Sequence, residues 1–374
     1  MMNQLIKEHI SVASNASGRK MHVAVYRFIG EQPGPKVYIQ SSIHGAEVQG
    51  NVVIYHLIAF LKNNPIRGEV ILVPNCNPVG TNIKSGEYTL GRFDPINGQN
   101  WNRGYYYQES LVSEFVDSLS DNLSIDQVKA SFRAKMREAI DTELNKPWGI
   151  GLASRLNLQL QRLALDADIV IDLHNGPVAT RHIYVPEYAK DSARYFNIPH
   201  IIFIPNVFGG ALDEATFCHW WTLTNKLSEK FPDKTWPVPV EAFTLEMGSQ
   251  EVIDFESGQY DANGIVTYLN YKGCLVDNDL EPETMERYAV KLSDYKILYT
   301  QEGGIVEYKV KPGQHVKKGE VIAKILNVDD LENDNAVSYL YAPDDLIVIL
   351  HFPSASVLCG TQLYKCFVNY QVLD

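Results

Sequence analysis

Short apolar runs of strand length alternate with segments of helical spacing over roughly the first 250 residues, and this alternation constrains the fold most. The runs are Lys36-Val37-Tyr38-Ile39-Gln40, Glu69 to Pro74, Ala167 to Leu173, Ile201-Ile202-Phe203-Ile204 and Glu241-Ala242-Phe243-Thr244-Leu245. Between them, residues 47–62, 108–166 and 212–230 carry the spacing of helices. Strands alternating with helices predict an α/β layer fold around a largely parallel sheet. Ahead of the first run, alternation in residues 9–29 around Ser17-Gly18 predicts a hairpin. Ligands of such sheets gather at the carboxyl ends of the strands. His44, His174 and Glu246 each follow the end of an expected strand.

Two regions break the pattern. Residues 75–104 are rich in Gly, Asn and Pro and show little periodicity, over a length at which ordered loops are usually functional. From about residue 296 short strands follow one another without a helix, which predicts two domains. Residues 1–295 would be catalytic, with a helical insertion at about 108–166; residues 296–374 would be a small all-β domain.

Composition narrows the function. A net charge of −12 without a basic cluster argues against nucleic acid and anionic membranes as partners. Five scattered cysteines with no C-x-x-C pair fit reduced thiols. The start of the chain has no apolar stretch behind basic residues. The run from Ile54 to Leu61, interrupted by His56, falls far short of the ~18 residues of a spanning helix. A cytoplasmic location is expected, with room for a homo-oligomer.

The chemistry lies in three separated pieces: Ile43-His44-Gly45-Ala46-Glu47, Asp172-Leu173-His174-Asn175-Gly176 and Thr244-Leu245-Glu246-Met247-Gly248. Two imidazoles and a carboxylate make up the ligand set of a hydrolytic zinc, and a further glutamate outside that set would take a proton from water. Each piece alone has a plainer explanation, such as a helix-start glutamate or a salt-bridged strand end. Asp172, two residues before His174, suits an acceptor that orients a liganding imidazole. The apolar approach to Glu246 should raise its pKa towards the neutral range. Arg92 and Arg103, with Asn102, lie in the long loop and suit an anionic group and a developing oxyanion.

Taken in order, H-G-x-E, N-R, D-L-H-N and E-x-G-x-Q resemble the succinylglutamate desuccinylase/aspartoacylase family of the zinc carboxypeptidase superfamily. The resemblance implies a zinc-carboxypeptidase-like three-layer sandwich with a mixed, mostly parallel sheet, plus a small all-β C-terminal barrel-sandwich domain. It implies one Zn2+ per chain on His44, Glu47 and His174, with Glu246 as general base. Arg92 would hold the oxyanion, Asn102 and Arg103 would bind the substrate carboxylate, and Asp172 would orient a liganding histidine. The implied reaction is hydrolysis of the amide of a small N-acyl amino acid or related N-acyl amine. Gly303 to Glu320 also looks like half of a biotinyl/lipoyl barrel, but residues 327–364 contain no lysine to modify.

One departure bears on substrate. Relatives acting on diacids bring an arginine shortly before the catalytic glutamate, and Phe231 to Met247 contains none. A neutral acyl group such as acetyl is therefore expected. The rival functions are a zinc carboxypeptidase acting on peptides and, more remotely, a non-catalytic zinc or ligand-binding protein.

Overall fold

The computed structural model describes residues 3–120, 123–276 and 279–373. The first two residues of the expected leaderless start, and residues 121 and 122 of the expected helical span, lie outside that set. The chain opens with β1 (Gln4–Ser14), β2 (Lys20–Ile29) and β3 (Gln32–Ser41), then α1 (Gln49–Asn63) and β4 (Arg67–Val73). The expected hairpin forms, and β1 starts earlier than alternation indicated because its first residues face solvent. The long loop holds α2 (Pro78–Thr81) and a two-residue pair, β5 (Lys84–Ser85) and β6 (Tyr88–Thr89).

The helical span resolves into α3 (Glu109–Asp117), α4 (Ile125–Leu144) and α5 (Leu152–Ala164). At the start of α4 the Ser124 hydroxyl accepts from the Gln127 amide while the Gln127 side chain accepts from the Ser124 amide, satisfying two free donors. There follow β7 (Ile169–Gly176), β8 (Val178–Ala179), β9 (Arg181–Pro186), β10 (His200–Ile204), α6 (Leu212–Lys230), β11 (Glu241–Ser249), α7 (Phe255–Tyr271) and β12 (Arg287–Lys291). Only strands come after: β13 (Tyr295–Tyr299), β14 (Gly304–Tyr308), β15 (His315–Val316), β16 (Val321–Leu326), β17 (Val337–Tyr341), β18 (Leu346–His351), β19 (Ser356–Val357), β20 (Gln362–Phe367) and β21 (Gln371–Leu373).

The main sheet has ten strands in the order β1-β2-β4-β3-β7-β11-β9-β10-β12-β21. Five of its nine pairings are parallel: β3 with β4 and β7, β7 with β11, and β10 with β9 and β12. The fold is thus mixed α/β with a mostly parallel central sheet. β7 is buried at every position, as a central strand covered on both faces must be. Successive side chains of a strand point to opposite faces, so Val37, Ile171 and Leu245 join α1 and α7 in one core. Tyr38, Val170 and Ala242 join α5 and α6 in the other. His174 and Glu246 share the parity of the second face.

Strands β9 and β12 and helix α7 were not anticipated. In β9 the polar His182 and Arg181 interrupt the apolar signal. α7 contains Gly258, Gly264 and several Asn or Thr residues of low helical propensity. Packing overrides that: a Cβ at Gly258 would come within 2.6 Å of Val52 on α1.

The C-terminal strands form two small sheets, β13-β20-β18-β15 and β17-β16-β14-β19, around Ile322, Val348 and Leu363. They remain joined to the main sheet. β8, just past β7, pairs with β18, and β21 pairs with β12 at the sheet edge. Among the described residues, no helix is long and apolar enough to cross a membrane.

Candidate active site

β3 ends at Ser41, and Ser42 adopts a left-handed backbone with φ 65°, an uncommon conformation for a residue with a Cβ. Its hydroxyl donates to the Glu47 carbonyl (3.0 Å) and accepts from Asn51 Nδ2 (2.8 Å), which holds the chain in a sharp turn. The turn carries His44 and Glu47 over the ends of β7 and β11. Glu47 lies just ahead of α1, at the positive end of the helix dipole, and the first turn of α1 contains no other acidic residue.

Gly45 has a specific reason to be glycine. Its amide donates to the Gly91 carbonyl at 2.8 Å, and a Cβ there would lie 2.2 Å from the Gly80 backbone. A Cβ on Gly91 would come within 2.1 Å of the Gly80 oxygen. Three backbones cross where no side chain fits, fastening the Arg92 loop to the His44 turn.

His174 and Glu246 sit inside β7 and β11 near their carboxyl ends, not past them as expected. They are register partners, and on its other side Glu246 faces His182 of β9. Beyond Glu246 the pairing slips: Met247 and Gly248 occupy the space opposite Asn175 alone, with Gly248 at φ 93°. A bulge of this kind re-aims neighbouring side chains and is common beside active sites.

His44 Nδ1 lies 2.9 Å from Glu47 Oε1, and His174 Nδ1 lies 2.7 Å from Glu47 Oε2. The atoms these three buried residues offer all fall within 4.8 Å of one another. The outer ring nitrogens have their own partners: His44 Nε2 is 2.8 Å from Asn100 Oδ1, and His174 Nε2 is 2.9 Å from Asp172 Oδ2. Asp172 Oδ1 in turn accepts from Gln40 Nε2 (3.0 Å), and Gln40 Oε1 accepts from the Tyr38 hydroxyl (2.9 Å). An acceptor on Nε2 leaves the Nδ1 lone pair free for a ligand, the arrangement of metal-binding histidines. Two nitrogens and a carboxylate in this geometry could hold a divalent cation.

Arg92 Nη1 donates to Glu47 Oε1 at 3.1 Å, and Asn175 N–H donates to Oε2 at 3.3 Å. Burial opposes the charge on Glu47, yet His44 and His174 hold its carboxyl well below the usual range. Burial likewise opposes charge on His174, but Asp172 and Glu47 keep its imidazole well above the usual value. Burial and the Glu47 charge push Glu246 up to about 7, against the pull of His174, Arg92 and Lys365. Glu246 Oε2 is buried and has no hydrogen-bond partner among the described residues.

Asn102 is buried, and its Nδ2 lies 3.3 Å from His174 Nε2. Exposed Arg103 donates to the Asn102 carbonyl at 2.7 Å and lies along Gly210 at the rim. Between Asn100 and Asn102, Trp101 is fully buried in the core and anchors the segment. Direct contacts therefore join His44, Glu47, His174, Asp172, Asn102 and Arg92, with Glu246 on the adjoining strand. Asn100 and Asn175 were missed, although both flank residues already singled out. A cavity of about 480 Å³ opens beside His44, Glu47 and Arg92 and is lined by Ile83, Leu90 and Phe93.

Residues 33–272 match the family described as succinylglutamate desuccinylase/aspartoacylase catalytic domain. A solved structure of a protein of that designation from Shewanella frigidimarina NCIMB 400 is 41% identical, covers 99% of both chains and superposes with a TM-score of 0.96. One from Shewanella amazonensis SB2B is 42% identical, covering 98% of this chain and 100% of that one, with a TM-score of 0.93. The product-bound ectoine utilization protein EutE (DoeB) from Ruegeria pomeroyi, at 16% identity, covers 98% of this chain and 96% of its own, and shares the fold with a TM-score of 0.67. No curated protein matches.

Proposed function

The chain belongs to the succinylglutamate desuccinylase/aspartoacylase family, and from that premise we propose that it is a zinc-dependent deacylase. Its substrate would be a small N-acyl amino acid or related N-acyl amine, cleaved at the amide bond. The observation that carries this is the convergence of both Nδ1 atoms on Glu47 beside a glutamate with an unpartnered buried oxygen. His44, Glu47 and His174 would hold one zinc ion per chain. When bound, the ion acts as a Lewis acid that acidifies water and polarises a carbonyl.

The remaining steps fall to side chains. Glu246, with a pKa of about 7, takes the proton of the attacking water and returns it to the departing amine nitrogen. Arg92 reaches the same space from the exposed side and holds the oxygen that gains charge. Asp172 keeps His174 oriented. Arg103 with Asn102 receives the carboxylate of the amino-acid half.

The acyl group is proposed to be uncharged. Arg92 is the one cation lining the adjoining cavity among the described residues, and Asp94 lies in the same wall. A second carboxylate there would meet apolar Ile83, Leu90 and Phe93. The proposal includes a zinc-carboxypeptidase-like sandwich for residues 1–295, a separate β-domain for 296–374 and a cytoplasmic setting. Acetate and succinate release from a panel of N-acyl amino acids, with and without a chelator, tests it. Chelator-sensitive acetate release is expected; no turnover, or preferential succinate release, would overturn the assignment.

A further inference from the structure

A second cavity, of about 720 Å³, lies behind the catalytic site on the opposite face of the main sheet. Met247 and Arg181 line it and are register partners on β11 and β9. Met247 packs into the core shared with α1 and α7, and Arg181 reaches α7, where its Nε donates to Asp261 Oδ1 at 2.7 Å. Glu246 and His174 have the other parity and point away from it. The remaining walls are the starts of α1 and α7, Lys311 and Pro312 from the turn between β14 and β15, and His351 of β18. Gln49 ties the two helix starts together: its Nε2 donates to the Asp254 carbonyl at 2.8 Å, and its Oε1 accepts from the Asp254 amide at 2.9 Å.

The volume is in the range of roughly 300–1,000 Å³ usual for small-molecule sites. Val252 and Ile253 stand at the rim with 58% and 54% of their surface exposed, area that an apolar occupant would cover. The charges are unevenly matched. Arg181 is balanced by buried Asp261, and the Asp254 carboxylate caps α7 by accepting from the Ser257 amide at 2.6 Å. Burial lowers the pKa of His351, which therefore adds no charge at neutral pH. The Lys311 ammonium makes no ion pair among the described residues. One unmatched positive charge over apolar walls, beside the positive ends of two helix dipoles, selects an anion with an apolar body.

A single segment separates this cavity from the catalytic one. Gln250 lines the catalytic cavity, whereas Val252, Ile253 and Asp254 line the second. Between them Glu251 holds a left-handed backbone with φ 64°, uncommon for a residue with a Cβ. Its amide donates to the Ala46 carbonyl at 2.9 Å, and its carboxylate accepts from the Thr89 amide at 2.7 Å. The segment is thus fastened to the His44 turn and to a residue of the catalytic cavity wall.

We propose that the second cavity is an effector site for a small molecule carrying one carboxylate on an apolar body, and that its occupant regulates the catalytic site through residues 250–254. The regulation rests on the deacylase function proposed above; the ligand site does not.

Calorimetry on chelator-treated protein tests the site with octanoate, using octanamide and acetate as probes that lack the charge or the apolar body. Octanoate should bind once per chain and the other two at least about 10-fold more weakly. Lys311→Glu and Ile253→Asp, both at exposed positions, should each weaken octanoate by at least about 10-fold, with melting temperatures as the folding control. Arg92→Met, in the catalytic cavity, should leave binding unchanged. No binding, or binding lost in Arg92→Met and kept in Lys311→Glu, would overturn the site. On the metal-loaded enzyme, saturating octanoate should change KM for an N-acetyl amino acid by at least about 5-fold in wild type and not in Lys311→Glu. An unchanged KM, or a change that persists in Lys311→Glu, would overturn the regulation. Octanoate binding without turnover of any N-acyl amino acid would sink the deacylase function, and the regulation with it, while the ligand site stands.

Discussion

Asp172 Oδ2 lies 2.9 Å from His174 Nε2 at a position with no exposure to solvent. The carboxylate sits at the end of a buried relay from Tyr38 through Gln40, so it is fixed from behind. Its effect is to hold the His174 ring with Nδ1 directed at Glu47.

Asp172→Asn should therefore weaken metal binding by about 10- to 100-fold, the usual consequence of losing such a partner. Competition of zinc between the protein and a chromogenic chelator measures this. Unchanged affinity would mean that the Asp172 contact does not control the ligand.

Gly45→Ala tests the backbone crossing. The added methyl would lie 2.2 Å from the Gly80 backbone, which cannot rotate away as a side chain could. Separating the two loops should destabilise the fold by about 1–3 kcal/mol and displace His44 from Arg92. A lowered melting temperature together with reduced metal content is expected. A drop in melting temperature with full metal content would uncouple the crossing from the site.

Asp168 gives a pH prediction away from the site. Its Oδ1 is paired with Lys129 and, at 3.0 Å, with Arg133; its Oδ2 accepts from the Lys36 amide at 2.8 Å. Burial works against the charge, but these partners prevail and the carboxyl titrates below its ordinary value. Its stabilisation is complete above the unfolded value of ~3.9 and is lost as pH falls through the lower folded value. Asp168→Asn should lower the melting temperature at pH 7 and flatten its decline in acid. A parallel shift of the whole profile would contradict this.

Legibility in the sequence followed the range of the interactions. His44, Glu47, His174 and Glu246 could be picked out because each lies at the end of a run whose own composition declares a strand. The bounds of α6 were read to the residue because Gly209-Gly210 precede its start and Pro232 follows its end. β9 was hidden because His182 faces Glu246 while its apolar neighbours face the opposite core. α7 was hidden because packing against α1, not local propensity, makes it helical.

The central claim is that a metal held by His44, Glu47 and His174 works with Glu246, which is not itself a ligand. Metal content and turnover measured together on Glu246→Gln test it most directly. The variant should carry about one metal ion per chain, like the wild type, while kcat on an N-acetyl amino acid falls by about 10²- to 10⁴-fold. Near-normal turnover, or loss of the metal along with the activity, would contradict it.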